Sequence, residues 1–278
     1  MSRISAYLEA LKTAGRKALI PYIVAGDPNP EMTVPMMHGL VKQGADIIEL
    51  GIPFSDPVAE GPVIQLAHER ALEYNTSLKN ALAMVKEFRQ QNQQTPIVLM
   101  GYINPVARMG YEAFAKLAAA AGVDGLLTVD MPREEATELN NALKAVSIDC
   151  IFLIAPTTTA ERIKSIAELA TGYLYYVSLK GVTGAGHLDI DSVSEKLRLI
   201  KSITALPITV GFGIKDTESA ATIAKLAEGV VVGSALVNRM ADISAKNSAA
   251  NCATKEGDNV LGPALQLIGE MRQAMDAE

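Results

Sequence analysis

One carboxylate, Glu49, interrupts the apolar run Ile47-Ile48-Glu49-Leu50. If that run is a strand buried on both faces, the carboxyl loses its water. Its pKa then rises and it suits proton transfer near neutrality. A structural glutamate paired with a buried cation is the alternative. Asp56 and Glu60 follow in a Pro- and Gly-rich segment, where each taken alone reads as a solvated loop acid. Downstream lie three glycine-bearing segments, Gly181-Val182-Thr183-Gly184, Gly211-Phe212-Gly213 and Gly233-Ser234-Ala235. A phosphate needs several backbone N–H groups close to it, which small residues permit, ideally at a helix N-terminus. Turns alone use glycine too, but three such segments in succession favour the phosphate. Tyr22, Met100, Tyr102 and Phe212 fall at strand ends and Tyr175 within a strand. They read either as barrel filling or as the walls of a flat aromatic site. His38, His68 and His187 are scattered and form no metal triad. Lys180 and Lys215 sit in loops rather than strands, which argues against a buried imine-forming amine.

The elements that must hold these groups alternate along the whole chain. Short apolar, β-rich runs at 19–24, 46–50, 96–100, 124–129, 149–154, 173–177, 207–210 and 229–232 are separated by amphipathic stretches such as 112–121, 133–145, 160–170 and 192–203. Eight successive β–α units with strands apolar on both faces predict an α/β fold, a closed parallel (β/α)8 TIM barrel. An open doubly wound sheet can use the same alternation. Ile4, Tyr7, Leu8 and Leu11 recur at helical spacing and predict an extra N-terminal helix. Glu9 and Lys12 interrupt any apolar core of the kind an export signal needs. The span between the second and third strands has room for an added helix pair, near 62–74 and 78–91. Residues 242–259, rich in Ala, Ser, Asn and Lys without a strong apolar period, read as a mobile loop before a last helix at 260–275. No linker divides the chain, so 1–278 is expected to form one domain.

Composition narrows the function classes. The 278 residues are 49% apolar and 20% charged, which excludes disorder as the main state. The net charge of −6, with no long basic cluster, argues against nucleic acid and anionic membrane surfaces. No apolar run approaches the ~18 residues of a membrane span. Two cysteines, Cys150 and Cys252, make neither a disulfide framework nor a zinc spacing, and a reduced cytoplasmic setting is expected.

The segment Glu49-Leu-Gly-Ile-Pro-Phe-Ser-Asp-Pro-Val-Ala-Glu-Gly-Pro closely resembles the signature of the tryptophan synthase alpha chain family. Tyr22-Ile-Val-Ala-Gly-Asp-Pro, Met100-Gly-Tyr-Ile-Asn-Pro, Asp130-Met-Pro, Gly181-Val-Thr-Gly and Gly211-Phe-Gly-Ile resemble it in the same order, so the likeness covers nearly the whole chain. It implies a lyase that cleaves indole-3-glycerol phosphate to indole and glyceraldehyde 3-phosphate, a retro-aldol reaction with no cofactor in this chain. Glu49 falls on the family's catalytic glutamate, which protonates indole C3 and takes the proton from the side-chain hydroxyl. Glu60 falls on the second carboxylate, normally Asp, which holds the indole N–H as positive charge develops. Tyr175 matches the active-site tyrosine. Gly184, Gly213, Gly233 and Ser234 match phosphate-binding positions, and Tyr22, Met100, Tyr102, Val129 and Phe212 match indole-pocket positions. Ser178–Asp189, with Lys180 and Thr183, resembles the active-site lid. The resemblance also implies a pyridoxal-phosphate beta chain as partner in an alpha2beta2 assembly, with the pyridoxal phosphate on the partner. Two other readings stand beside this one: a Schiff-base aldolase or sugar-phosphate isomerase on the same barrel, and a subunit that binds the substrate but turns it over poorly because of Glu60.

Overall fold

A computed structural model describes residues 2–178, 190–211, 213–249 and 261–277, with residues 243–249 described by backbone alone. Its eight strands are β1 (Ala18–Val24), β2 (Ile48–Gly51), β3 (Ile97–Gly101), β4 (Gly125–Thr128), β5 (Asp149–Ile154), β6 (Leu174–Val177), β7 (Ile208–Gly211) and β8 (Gly229–Val232). Each pairs in parallel with the next, and β8 pairs with β1 to close the barrel. The open-sheet alternative is thereby set aside. Parallel neighbours require a crossover between them, and the helices that supply it cover the outer face, so the strands are buried almost without interruption.

Alternation along each strand divides the core in two. Leu19, Ile23, Ile48, Leu50, Leu99 and Leu126 pack outward against the helices. Ile20, Tyr22, Val24, Val98, Met100, Leu127, Tyr173, Tyr175 and Val231 fill the inside. Since neighbours at i and i+2 share a face, Glu49 between Ile48 and Leu50 must point inward. The register agrees, placing Glu49 opposite Tyr22 on one side and Val98 on the other.

The described helices that precede the site are α1 (Arg3–Thr13), α2 (Pro30–Lys42), α3 (Pro62–Glu73) and α4 (Leu78–Phe88). Helix α1 is the expected N-terminal addition. Ser2 caps it by accepting from the Ser5 N–H, and Ile4, Leu8 and Leu11 are buried at helical spacing. Ile4 lies over Gly125, where an added Cβ would meet its Cδ1 at 2.9 Å, and so stops the barrel at the end of the strands away from the loops of interest. The Arg3–Asp124 ion pair and the Ser2–Asp149 hydrogen bond pin the helix there. Helices α3 and α4 are the expected insertion between β2 and β3. Asp27, fully buried after β1, holds Arg70 of α3 through two hydrogen bonds of 2.6 and 3.0 Å.

Three boundaries differ from expectation. Helix α5 (Ile103–Met109) follows β3, directly before α6 (Tyr111–Ala121), where a loop was expected. Next, α7 spans Thr137–Ala145 rather than beginning at Arg133, because residues 133–136 form turns after Pro132. Beyond α8 (Ala160–Ala167), α9 (Ile190–Ile203) and α10 (Thr217–Ala224), the helix α11 runs Ser234–Ala249. The loop expected to start at Asp242 is therefore helical through 249. Leu236, Val237 and Met240 bury its first turns, and alanine, the strongest helix former, recurs through the continuation. Residues 250–260 lie outside the described residues. The last helix, α12, is Gly262–Asp276.

Candidate active site

The loops leaving the C-terminal ends of the strands bring a few polar groups to one end of the barrel. Glu49 is fully buried in β2. Its Oε1 accepts a 2.7 Å hydrogen bond from the Tyr173 hydroxyl, and its buried Oε2 has no partner among the described residues. Burial pushes its pKa up to about 7, only partly offset by the Tyr173 hydrogen bond. No cation pairs with it among the described residues, so the structural-glutamate alternative loses its premise. The carboxyl is balanced between two protonation states, with one oxygen fixed and the other free to exchange a proton.

Glu60 is not the solvated acid that its loop context alone suggests. It is half-buried, and the Tyr102 hydroxyl donates to its Oε2. Tyr102 in turn accepts from the Ala59 N–H at 2.9 Å, and its ring stacks on Phe54 at 4.8 Å. Gln65 ties the loop to α3 by donating to the Glu60 carbonyl at 2.8 Å. Desolvation raises the Glu60 carboxyl above its ordinary range, with the Tyr102 hydrogen bond opposing it.

Tyr22, Glu60, Gly61, Ile64, Met100, Tyr175, Val231, Gly233 and Ser234 enclose a cavity of about 60 Å³. Ligand pockets are commonly ~300–1,000 Å³, so a substrate must also occupy the open mouth of the barrel. Glu49 is not in that lining. By register it lies level with Val98, two residues short of Met100, so it sits deeper. Val129, partly buried, packs against the inner cluster. Gly233 follows β8 and α11 begins at Ser234, so N–H groups of a helix N-terminus face the same end of the barrel. Gly213 has φ +78°, which a side chain would strain. Gly184, Lys180, Thr183 and Phe212 lie outside the described residues.

Tyr22 and Tyr175 have a requirement that spacing does not reveal. Their rings lie over glycines of adjacent strands, Gly51 and Gly211. An ideal Cβ on Gly211 would meet Tyr175 Cζ at 2.5 Å, and one on Gly51 would meet Tyr22 Cζ at 2.8 Å. Both rings are buried and cannot swing into solvent. Gly211→Ala should therefore destabilise by ~1–3 kcal/mol through overpacking and displace Tyr175. Thermal unfolding checks this, and adding Tyr175→Leu, which withdraws the ring, should recover most of the lost stability. A Gly211→Ala protein as stable as the parent would contradict the packing.

Reading by residue type missed Tyr173. Its signal was available: Tyr173 and Tyr175 are two apart in the apolar run at 173–177, so an inward Tyr175 places Tyr173, directly before β6, inward too. His68, one of three scattered histidines without a metal triad, is buried and bonds both Phe54 and Tyr22. Among the described residues no group of three or more His, Cys, Asp or Glu is placed to hold a metal ion.

Comparison with known proteins bears on this arrangement. The model of the tryptophan synthase alpha chain family matches residues 8–264. The alpha chain of Thioalkalivibrio sulfidiphilus is 58% identical over 276 residues, covering 99% of this chain and 100% of the relative. That of Marinobacter nauticus is 55% identical, covering 100% and 99%. Among solved structures, tryptophan synthase subunit alpha from Legionella pneumophila superposes with a TM-score of 0.88 at 45% identity over the full length of both chains. A chain of tryptophan synthase from Mycobacterium tuberculosis in its aminoacrylate-bound form gives 0.85 at 33%, covering 99% and 100%.

Proposed function

Because this chain belongs to the tryptophan synthase alpha chain family, we propose that Glu49 and Glu60 divide the work of its lyase reaction, the cleavage of indole-3-glycerol phosphate to indole and glyceraldehyde 3-phosphate. The single observation that carries the assignment is the Glu49 carboxyl, fully buried, with Oε1 held by Tyr173, Oε2 unpartnered and a pKa raised to about 7.

Glu49 in its acid form protonates indole C3, and the charge that appears on the ring nitrogen is met by the Glu60 carboxylate. Glu49, now ionised, takes the proton from the side-chain hydroxyl. The C3–carbon bond breaks, its electron pair restores the aromatic ring, and the hydroxyl carbon becomes the aldehyde. Glu49 ends protonated, as it began. Tyr102 orients Glu60 through its hydroxyl. Tyr175 stands with the two carboxylates as the active-site tyrosine. Tyr22, Met100, Tyr102 and Val129, with Phe212, line the place of the indole, and the N-terminus of α11 with Gly184, Gly213, Gly233 and Ser234 receives the phosphate. Lys180 and Thr183 belong to the lid in this reading. The chemistry calls on no cofactor in this chain, the pyridoxal phosphate of the complete enzyme belonging to the beta chain. The indole passes to that partner within the alpha2beta2 assembly.

A cytoplasmic setting and a single-domain unit over 1–278 belong to the same reading. No helix among the described residues is long and apolar enough to cross a membrane. The Schiff-base alternative gains nothing from the geometry, since Lys215 lies in an exposed loop.

The test is steady-state indole release with and without a beta chain. Turnover in either case supports the reading, and none in both overturns it. The phosphate half is checked separately. Glycerol 3-phosphate should compete with substrate and glycerol should not, while Gly213→Ala should raise the apparent KM. Equal inhibition by the two compounds would contradict a dedicated phosphate site.

A further inference from the structure

We propose that His68 is a positioning residue for this reaction, joining the Glu60 loop to the indole pocket through a single fixed tautomer. The proposal rests on the function proposed above.

His68 lies on α3 and is 1% exposed. Its Nδ1 is 3.0 Å from the backbone nitrogen of Phe54. A backbone amide only donates, so Nδ1 holds the lone pair and the ring proton sits on Nε2. Nε2 faces the Tyr22 hydroxyl at 3.4 Å and donates to it. Burial depresses the ring's pKa to about 4, which keeps this tautomer neutral at physiological pH.

Two arms diverge from this ring. Through Phe54 it holds the segment after β2, and the Phe54 ring stacks on Tyr102, whose hydroxyl donates to Glu60. Through Tyr22 it reaches the cavity itself, which Tyr22 and Glu60 both line. With its lone pair engaged by His68, the Tyr22 oxygen has its own proton left to offer toward that cavity. Burial keeps the phenol protonated, with the nearby Glu60 and Glu49 carboxylates acting in the same direction. One imidazole thus sets both the position of the carboxylate that meets the charged nitrogen and the hydrogen-bonding sense of a pocket wall.

Half-variants separate the arms. His68→Asn places an oxygen near the Nδ1 position and keeps the Phe54 anchor but loses the donor to Tyr22. His68→Gln reaches the Nε2 position and keeps that donor but loses the anchor, and His68→Leu loses both. Indole release at saturating beta chain, with thermal unfolding of each protein, should show a split. His68→Gln should lower kcat roughly tenfold, about 1.4 kcal/mol at the transition state, because the Glu60 arm is loosened. His68→Asn should leave kcat within roughly twofold and raise KM several-fold. Tyr22→Phe should reproduce that KM change and add nothing to it in the His68→Asn background, which keeps the test decisive if His68→Leu fails to fold. Kinetic constants at parent values in folded His68→Gln and His68→Asn, or losses that track only the folded fraction, overturn the positioning role. A parent that turns over alongside such variants leaves the proposed function standing. A parent without turnover removes both.

Discussion

Glu49→Gln should reduce indole release by at least ~10²–10⁴-fold, the range typical of one general acid–base role, because the proposed reaction asks a single carboxyl to serve two proton transfers. Gln retains an oxygen for the Tyr173 hydroxyl and nearly the same volume, so substrate-analogue binding should persist. The same replacement should make the protein more stable at alkaline pH. Burial raises the Glu49 carboxyl from its ordinary pKa of 4.5 to about 7 in the fold. A raised folded pKa favours the native state fully below the unfolded pKa, and that contribution is lost as pH rises through about 7. Above that, keeping an ionised carboxyl buried costs on the order of 3 kcal/mol. Denaturant unfolding of parent and variant should converge below about pH 4.5 and separate toward pH 8, with Glu49→Gln the more stable. Parent activity should also fall above about pH 7, where Glu49 loses the proton it must deliver. Near-normal turnover in the variant would remove Glu49 from the chemistry. Stability curves that stay parallel across this pH range would contradict its desolvation.

Glu60→Ala should cost several kcal/mol of transition-state stabilisation, on the scale of the ~2.7–4 attributed to one preorganised polar group. The loss has two parts. The indole nitrogen loses its counter-charge, and the Tyr102 hydroxyl, still accepting from Ala59, loses the acceptor for its own proton. Glu60→Asp restores the family's usual acid but draws the carboxylate back by one methylene from a tyrosine that now reaches it. It should lose about tenfold, ~1.4 kcal/mol, through placement alone. Both are read as indole release at saturating beta chain. An alanine variant that matches the parent would reduce Glu60 to a loop acid and turn attention to Asp56.

Much of the site was legible from residue type. An acid inside an apolar strand is conspicuous because burial of an unpaired carboxyl is costly, and Glu49 stood out for that reason. The eight-fold alternation was equally plain, and the strands at 149–154 and 229–232 fall where the apolar runs predicted them. Less legible were groups whose meaning depends on a neighbour far along the chain. Tyr173 meets Glu49 across 124 positions, and Tyr102 meets Glu60 across 42. Neither pairing has a local signature. His68 has none either, since a lone histidine in a helical stretch looks the same whether it faces solvent or two other elements.

Local pattern by itself determined which segments become strands and helices, because periodicity and turn chemistry act over a few residues. It also determined that an acid would be trapped in β2. Closure of β8 onto β1 decided the rest, by fixing which strands are neighbours and at what register. That register puts Glu49 level with Tyr22, seats Tyr22 over Gly51 and Tyr175 over Gly211, and brings the Glu60 loop to the cavity that Gly233 and Ser234 also line. Hydrogen-bond partners and desolvation are properties of that juxtaposition. The pKa of Glu49 and the tautomer of His68 therefore exist only once the barrel has closed.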